Sequence, residues 1–116
     1  MPNRILKETI CTSPEIQQLT PEEEALFYRL IVKCDDFGRF DARPKIVRGM
    51  ALPLRDVSEG PIQGWLDKLE EVGLIKRYVV DGLPYLQLVT WHKHQKVRTP
   101  REKYPPSPEL VPGEVF

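Results

Sequence analysis

Apolar residues recur every three or four positions between Leu26 and Cys34, which places them on one face of a helix. The sequence TPEE at 20–23 precedes this stripe and has the form of a capping box, with a Thr N-cap, a proline at the first helical position and a glutamate three residues after the cap. We therefore predict a helix over 21–34. The turn sequence DDFG at 35–38 ends it, because its glycine can adopt a positive φ.

The same spacing predicts two further helices. One covers 44–51 and ends before Pro53. The other covers 59–72, with Ser58 as its N-cap and Gly73 as a C-terminal stop. A brief extended piece, 38–40, precedes the first of these two helices.

Segments rich in β-branched and aromatic residues flank Asp81-Gly82, a strong signal for a two-residue hairpin turn. We predict strands at 74–80 and 83–91. A type I′ turn between them predicts the following pairs: Ile75 with Leu88, Lys76 with Gln87, and Tyr78 with Tyr85. Pro84 has no N–H to donate, so we expect it where the ladder needs no donor, as at a sheet edge.

The composition changes after the second strand, first to basic residues and then to a proline-rich stretch. We divide the chain into a folded domain, 1–94, and a basic arm with a proline-rich tail, 95–116. Few residues from 104 onward can join a core, so we expect 104–116 to dock little.

The order helix, extended piece, helix, helix and hairpin is that of a winged helix, in which three helices pack together and the hairpin closes the core as the wing. We predict this α+β, mainly α, architecture with a short extra N-terminal segment, including one helical turn at 14–19, and an extended C-terminal tail. The predicted core consists of Leu26, Phe27, Leu30, Ile31, Ile46, Val47, Met50, Trp65, Leu66, Leu69, Ile75 and Leu88.

The chain has 116 residues, 41% of them hydrophobic, which suits one small domain. No apolar run approaches the roughly 20 residues that a membrane span needs, and the N-terminus lacks the apolar region of a signal peptide. Cys11 and Cys34 form no CxxC motif, which favours reduced thiols and a cytoplasmic location.

Catalytic and metal-binding motifs are absent from the sequence, so we expect no enzyme, metal or cofactor. His92 and His94 share one face of a predicted strand, which is not a standard zinc spacing. Asp35, Asp36 and Asp41 could bind a divalent metal, but their sequence context favours turns that satisfy backbone groups.

The net charge of +0 conceals alternating blocks, with sums of −3 over 1–41, +4 over 42–55, −4 over 56–74, +5 over 75–103 and −2 over the remaining tail. Such blocks are either ordinary solvated faces or contact surfaces for a polyanion, and the total charge does not distinguish these alternatives.

Several runs together resemble the amino-terminal domain of phage replisome organisers, a DnaD-like family. The resemblance covers about 3–104 and is carried by NRILKE at 3–8, LFYRLI at 26–31, CDDFGRFDARP at 34–44, the segment 66–75 and GLPYLQLVTWHKHQ at 82–95. It implies a winged-helix module of phages or prophages of Gram-positive bacteria that binds origin DNA in replication initiation within the bacterial cytoplasm. It also implies partners such as helicase-loading factors, a homo-oligomer, and a second, carboxy-terminal domain that this chain lacks.

The third helix carries a net charge of −3, which disfavours base reading by that helix. We expect DNA, duplex or single-stranded, to be held mainly through its phosphates. The candidate DNA-binding residues are Arg43, Lys45, Arg48, Arg55, Gln63, Lys68, Lys76, Arg77, Lys93, Lys96, Arg98, Arg101 and Lys103.

The alternative is a protein-interaction or oligomerisation module of a replication or regulatory complex that does not bind DNA by itself. In that case the acidic third helix would pair with the basic second helix of another subunit, or Tyr78 and Tyr85 would extend an exposed wing edge into another sheet. An apolar surface patch would favour this alternative, and a basic patch would favour DNA binding.

Overall fold

Five α-helices and three strands follow one another in the part of the chain that the computed structural model describes, residues 3–108. The helices are α1 (Pro14–Gln17), α2 (Pro21–Lys33), α3 (Pro44–Ala51), α4 (Glu59–Glu71) and α5 (Trp91–His94), and a 3₁₀ turn at Glu8–Cys11 precedes α1. The strands β1 (Arg39–Asp41), β2 (Ile75–Val80) and β3 (Leu83–Leu88) form one antiparallel sheet in the order β1-β3-β2. The predicted α+β class is confirmed.

Helix α2 begins at the predicted capping box. The Thr20 hydroxyl accepts a hydrogen bond from the Glu23 N–H at 3.3 Å, and the Glu23 carboxylate accepts one from the Thr20 N–H at 2.8 Å. These bonds satisfy two backbone donors that the first helical turn would otherwise leave unpaired. Ser58 also stands at the N-cap of α4, but its side chain forms no capping hydrogen bond.

The core lies between α2, α3 and α4 on one side and the sheet on the other, and Leu26, Leu30, Val47 and Leu66 in it are fully buried. The prediction that Met50 belongs to this core is wrong, since 42% of the residue is exposed. The buried face of the short helix α3 runs through Val47 and Ala51, one turn apart, so Met50 lies at its margin.

The hairpin has the predicted register. Ile75 pairs with Leu88, Lys76 with Gln87, and Tyr78 with Tyr85. Asp81 and Gly82 have φ values of 51° and 79°, as a type I′ turn requires. Asp81 tolerates this left-handed conformation because its short polar side chain forms local hydrogen bonds readily.

Pro84 does not lie on an edge strand. Strand β1 pairs with β3, which makes β3 the central strand of the sheet. The proline is accommodated because β1 pairs only with 85–87 and therefore ends before it. The Pro84 carbonyl still accepts a hydrogen bond from the Ala42 N–H at 3.1 Å.

The second hairpin strand is shorter than predicted, and His92 and His94 lie on the helical turn α5 rather than on a strand. Trp91 is the first residue of this turn and is buried in the core, only 4% exposed. Its indole N–H donates to the Asp36 carbonyl at 2.8 Å.

The expectation that the tail docks little is wrong for 104–107. The Tyr104 ring packs edge-on against Phe40, with 5.5 Å between ring centroids, and the Tyr78 hydroxyl donates to the Pro105 carbonyl at 2.6 Å. Ser107 is buried as well.

Contacts also cross the predicted boundary at 94/95. The Gln95 side-chain oxygen accepts a hydrogen bond from the Ile5 N–H, and the Gln95 side-chain amide donates one to the Ile5 carbonyl. The remainder of the tail, 109–116, lies outside the described residues.

Residues 101–107, which we call the C-terminal segment, cover the face of the sheet that points away from the helices. By strand alternation, Ile75, Leu86 and Phe40 face the helices, whereas Tyr78 and Tyr85 face the opposite side. Tyr78 is only 7% exposed, although no helix covers it. The sheet is therefore enclosed by helices on one face and by the C-terminal segment on the other.

Over residues 3–108, none of the helices has both the length and the apolar character that crossing a membrane demands.

Candidate nucleic-acid interface

The structure distributes the predicted DNA-binding residues over four places. Arg43, Lys45 and Arg48 lie at or on α3, and Arg55 follows that helix; Gln63 and Lys68 lie on α4; Lys76 and Arg77 lie on β2; and Lys93, Lys96, Arg98, Arg101 and Lys103 lie on α5 and the segment after it.

Arg43, the N-cap residue of α3, is held by a carboxylate. Its guanidinium contacts both oxygens of Asp41, with Nη2 2.7 Å from Oδ2 and Nε 3.1 Å from Oδ1. This hydrogen-bonded ion pair raises the pKa of Arg43. The pair compensates the charge of Arg43 locally, which weakens its case as a phosphate ligand.

Lys45, Arg48 and Arg55, which we call the α3 cation group, are differently placed. Lys45 and Arg48 lie about one helical turn apart, and Arg55 is exposed in the connection to α4. No ion pair formed among residues 3–108 includes any of the three. Their charges are available to an external anion.

Arg29 adds a fourth positive charge near the end of α3, and the sequence patterns gave no indication of it. It belongs to α2, and its guanidinium donates to the Ala51 carbonyl at 2.9 Å. This bond places a cation at the negative end of the α3 dipole. Arg29 is 22 positions from Ala51 in the chain, so only the packing of α2 against α3 brings them together.

Arg77 is tied to the acidic helix. Its Nη2 lies 2.7 Å from Asp67 and 2.8 Å from Glu70, and its backbone N–H donates to Glu70 at 2.9 Å. Burial alone would lower the pKa of Arg77, but the hydrogen bonds to these carboxylates outweigh burial and raise it. The hydrogen bond from Arg77 also lowers the pKa of Asp67.

The two candidate residues on α4 are also engaged within the helix. The Gln63 amide donates to Asp67 at 3.1 Å, and the Lys68 ammonium lies 3.6 Å from Glu71. Together with the contacts from Arg77, these pairs occupy most of the polar side chains on the outer face of α4. The helix therefore offers little free hydrogen-bonding capacity for reading base edges.

The basic residues after β3 project from a backbone that is fastened to the body. The Arg101 N–H donates to Asp36 at 2.9 Å, and the Lys103 N–H donates to Asp35 at 3.0 Å. A cavity of about 520 Å³ separates the preceding loop from the body, with Lys96 and Arg98 in its lining. These residues belong to a different part of the chain from the α3 cation group.

The Asp35 carboxylate accepts four backbone hydrogen bonds, at 2.9 to 3.1 Å, from the N–H groups of Phe37, Arg39, Lys103 and Tyr104. Asp36 pairs with Arg4 at 2.9 Å, and Asp41 pairs with Arg43. The interpretation of these carboxylates as partners of turns is confirmed. Across 3–108, no group of His, Cys, Asp and Glu residues is arranged to hold a metal ion.

Burial also shifts the pKa of groups near α5. The pKa of His92 and that of His94 are both lowered by desolvation, and Lys7 and Lys93 lower that of His94 further. Both imidazoles therefore favour the neutral form more than a solvent-exposed histidine does. Their contribution to the positive surface at neutral pH is correspondingly small.

Comparison with known protein families, with characterised proteins and with solved structures finds no match to this chain.

Proposed function

We propose that the chain is a non-enzymatic DNA-binding module with a winged-helix architecture. Two features support this assignment: the element order α2-β1-α3-α4-β2-β3, and the pairing of β1 with the second strand of the hairpin. In this architecture α3 and α4 form the helix-turn-helix pair, which is the part that approaches DNA in proteins built this way.

The observation that carries the proposal is the α3 cation group. Lys45 and Arg48 lie on α3 and Arg55 lies in the connection from α3 to α4, and none of the three engages a carboxylate within residues 3–108. The outward groups of α4 are acidic or already paired. This combination favours phosphate contacts at the α3 end and disfavours base reading by α4, so the expected binding tolerates many sequences.

The resemblance to phage replisome organisers extends the proposal to a biological role. The module would act in replication initiation in the cytoplasm of a bacterial host, with replication proteins such as helicase-loading factors as partners and with self-association on DNA. A separate carboxy-terminal domain would supply the partner contacts.

Salt-dependent binding tests the proposal. Fluorescence anisotropy with labelled duplex and single-stranded oligonucleotides, at about 50 and 200 mM salt, should show binding that weakens steeply as salt rises. A K45Q/R48Q/R55Q variant should lose most of the affinity, and its slope of log K against log salt should be shallower by about 3 because three phosphate contacts are lost.

A K93Q/K96Q/R98Q variant is the matched control, since it removes the same charge from the other basic group. It should keep most of the affinity. Equal losses of DNA affinity in both variants would contradict the proposal that the α3 cation group makes the main phosphate contacts. A folded wild-type chain that binds neither duplex nor single strand at the lower salt would refute DNA binding.

The exposed hairpin supports a second candidate, a protein-interaction module. Val79 is 60% exposed and Leu83 is 41% exposed, and both lie beside the turn. Light scattering would detect self-association that a V79K variant abolishes. That result, together with absent DNA binding, would favour this second function. The expectation that Tyr78 and Tyr85 extend an exposed edge is wrong for these two side chains, because Tyr85 lies on β3, the central strand, and Tyr78 on the edge strand β2 is buried.

A further inference from the structure

Leu54 is 97% exposed, far more than any other large hydrophobic residue of the described chain, the next being Val79 at 60%. It is followed by Arg55 and preceded by Pro53, both exposed. Single exposed leucines are common on protein surfaces, so exposure alone carries no conclusion. The conformation of its turn and the positively charged residues near it in the chain indicate a function for Leu54.

A tight turn holds Leu54 at its tip. The Arg55 N–H donates to the Leu52 carbonyl at 3.1 Å, which closes a four-residue turn with Pro53 in its second position and Leu54 in its third. Leu52 is 3% exposed and anchors the turn to the core. Because proline fixes its own φ, the turn presents Leu54 in a restricted conformation and loses little entropy on binding.

Three arginines adjoin the turn. The Arg48 carbonyl accepts a hydrogen bond from the Leu52 N–H at 3.1 Å, so the last turn of α3, which carries Arg48, leads directly into the tight turn. Arg55 continues from the turn, and Arg29 contacts the neighbouring Ala51 carbonyl. Asp56 is the one acidic residue between 42 and 58. An apolar tip among cations is complementary to a polyanion whose interior is apolar.

We propose that Leu54 is a wedge that enters the minor groove of duplex DNA and partly unstacks one base step. This inference rests on the proposed DNA-binding function and adds a mode of contact to it. Arg48 and Arg55 hold phosphates on either side of the groove, while the leucine side chain fills the space between two bases. Apolar wedges of this kind kink duplexes by about 20 to 90°.

DNA bending tests the wedge with the full chain. A duplex of about 30 base pairs with TA steps near its centre, which unstack readily, carries a donor and an acceptor dye at its ends. The wild-type chain should raise energy transfer, because a kink brings the ends together. Leu54→Ala should still bind, about tenfold more weakly, and leave energy transfer at the value of the free duplex.

Two further variants complete the design. Leu54→Met keeps an apolar side chain of similar reach and should retain the bend, since methionine also occurs as a wedge. Val32→Ala removes a half-exposed apolar side chain from α2 and should behave as wild type. Circular dichroism confirms that each variant is folded, which is expected because Leu54 contributes almost nothing to the core.

The outcomes separate the wedge from the function on which it rests. Binding without increased energy transfer in the wild-type chain would overturn the wedge and leave DNA binding intact. Equal bending by wild type and Leu54→Ala would also overturn it. Loss of self-association in Leu54→Ala, with bending unchanged, would make the tip a protein contact instead. No DNA binding at all would overturn both proposals.

Discussion

At the scale of single residues, the turn at 35–38 is stabilised by hydrogen bonds between the Asp35 carboxylate and backbone N–H groups. The Asp35 carboxylate binds four backbone N–H groups, two from its own turn and two from the C-terminal segment. Asp35 is only 2% exposed, and these bonds compensate for removing its charge from water. One side chain thus fixes the turn and fastens a segment that lies 68 positions away in the chain.

Gly38 in the same turn should not tolerate a side chain. Its φ is +80°, and a Cβ atom there would lie 2.7 Å from Cγ of Trp91, whose ring is buried and hydrogen-bonded. We expect Gly38→Ala to lower the free energy of unfolding by about 3 kcal/mol, through backbone strain and overpacking together. Denaturant unfolding measures the loss.

Gly49→Ala is the control for this prediction. Gly49 lies within α3, and apart from its chain neighbours and the backbone of its own helix no heavy atom lies within 4 Å of a Cβ built there. Alanine should therefore stabilise the protein by about 0.5 to 1 kcal/mol, since it favours the helix. A loss at position 38 no larger than about 1 kcal/mol would contradict the tight packing of the turn against Trp91.

At the scale of elements, the C-terminal segment is held to the body by carboxylates as well as by packing. The Arg101 N–H and the Arg4 guanidinium both bind Asp36, and together they lower the pKa of Asp36 below its ordinary 3.8. The hydrogen bond from Arg101 is the larger cause. The attachment at Arg101 therefore depends on the ionised form of Asp36.

This shift predicts how the attachment responds to acid. Because the pKa of Asp36 is lower in the folded state, its contribution is complete above the ordinary value of 3.8 and is lost as the pH falls through the lowered pKa. We expect the amide resonance of Arg101 to titrate in that range. In Asp36→Asn the resonance should be insensitive to pH over the same range, and a response identical to wild type would identify a different titrating group.

The hairpin and α4 illustrate how one element can neutralise another. Glu70 accepts hydrogen bonds from both the backbone and the side chain of Arg77. This contact engages a backbone donor of β2, an edge strand, which makes pairing with another chain at that residue less favourable. It also compensates the positive charge of Arg77, a residue that the sequence predicts to contact DNA.

At the scale of the whole molecule, the sheet is stabilised from both sides. Tyr104 contacts two aromatic rings of the sheet, those of Phe40 and Tyr85, with ring centroids 5.5 Å and 6.3 Å away. Burial raises the pKa of Tyr104, which reflects its partial enclosure. A segment that looks like a solvated tail in the sequence thereby becomes part of the packed structure.

Tyr104→Ala tests this contribution. Loss of the ring should lower the free energy of unfolding by about 2 to 3 kcal/mol, because a partly buried aromatic side chain and its ring contacts are removed. Hydrogen exchange at Lys103 should quicken at the same time. Tyr104→Phe keeps the ring and should remain within about 0.5 kcal/mol of wild type. Equal stability of the alanine variant would mean that the segment is held by Asp35 and Asp36 alone.

Local chemistry in the sequence was sufficient to predict every helix from α1 to α4 and the hairpin register. Thr20 and Glu23 lie three residues apart, and Asp81-Gly82 specifies its turn without help from distant residues. These signals act over a few positions, so they can be read before the fold is known. The candidate site was predictable to the same extent: the positions of the cations were readable, but their partners were not.

The sequence by itself determined the period of each amphipathic element, because side-chain spacing dictates which face is apolar. Only the tertiary structure decided which charges are available, since the partners of Arg77 are seven and ten positions away and lie on another element. The same holds for the central position of β3 and for the docking of Tyr104. Each depends on contacts between residues far apart in the chain, and no local pattern encodes such contacts.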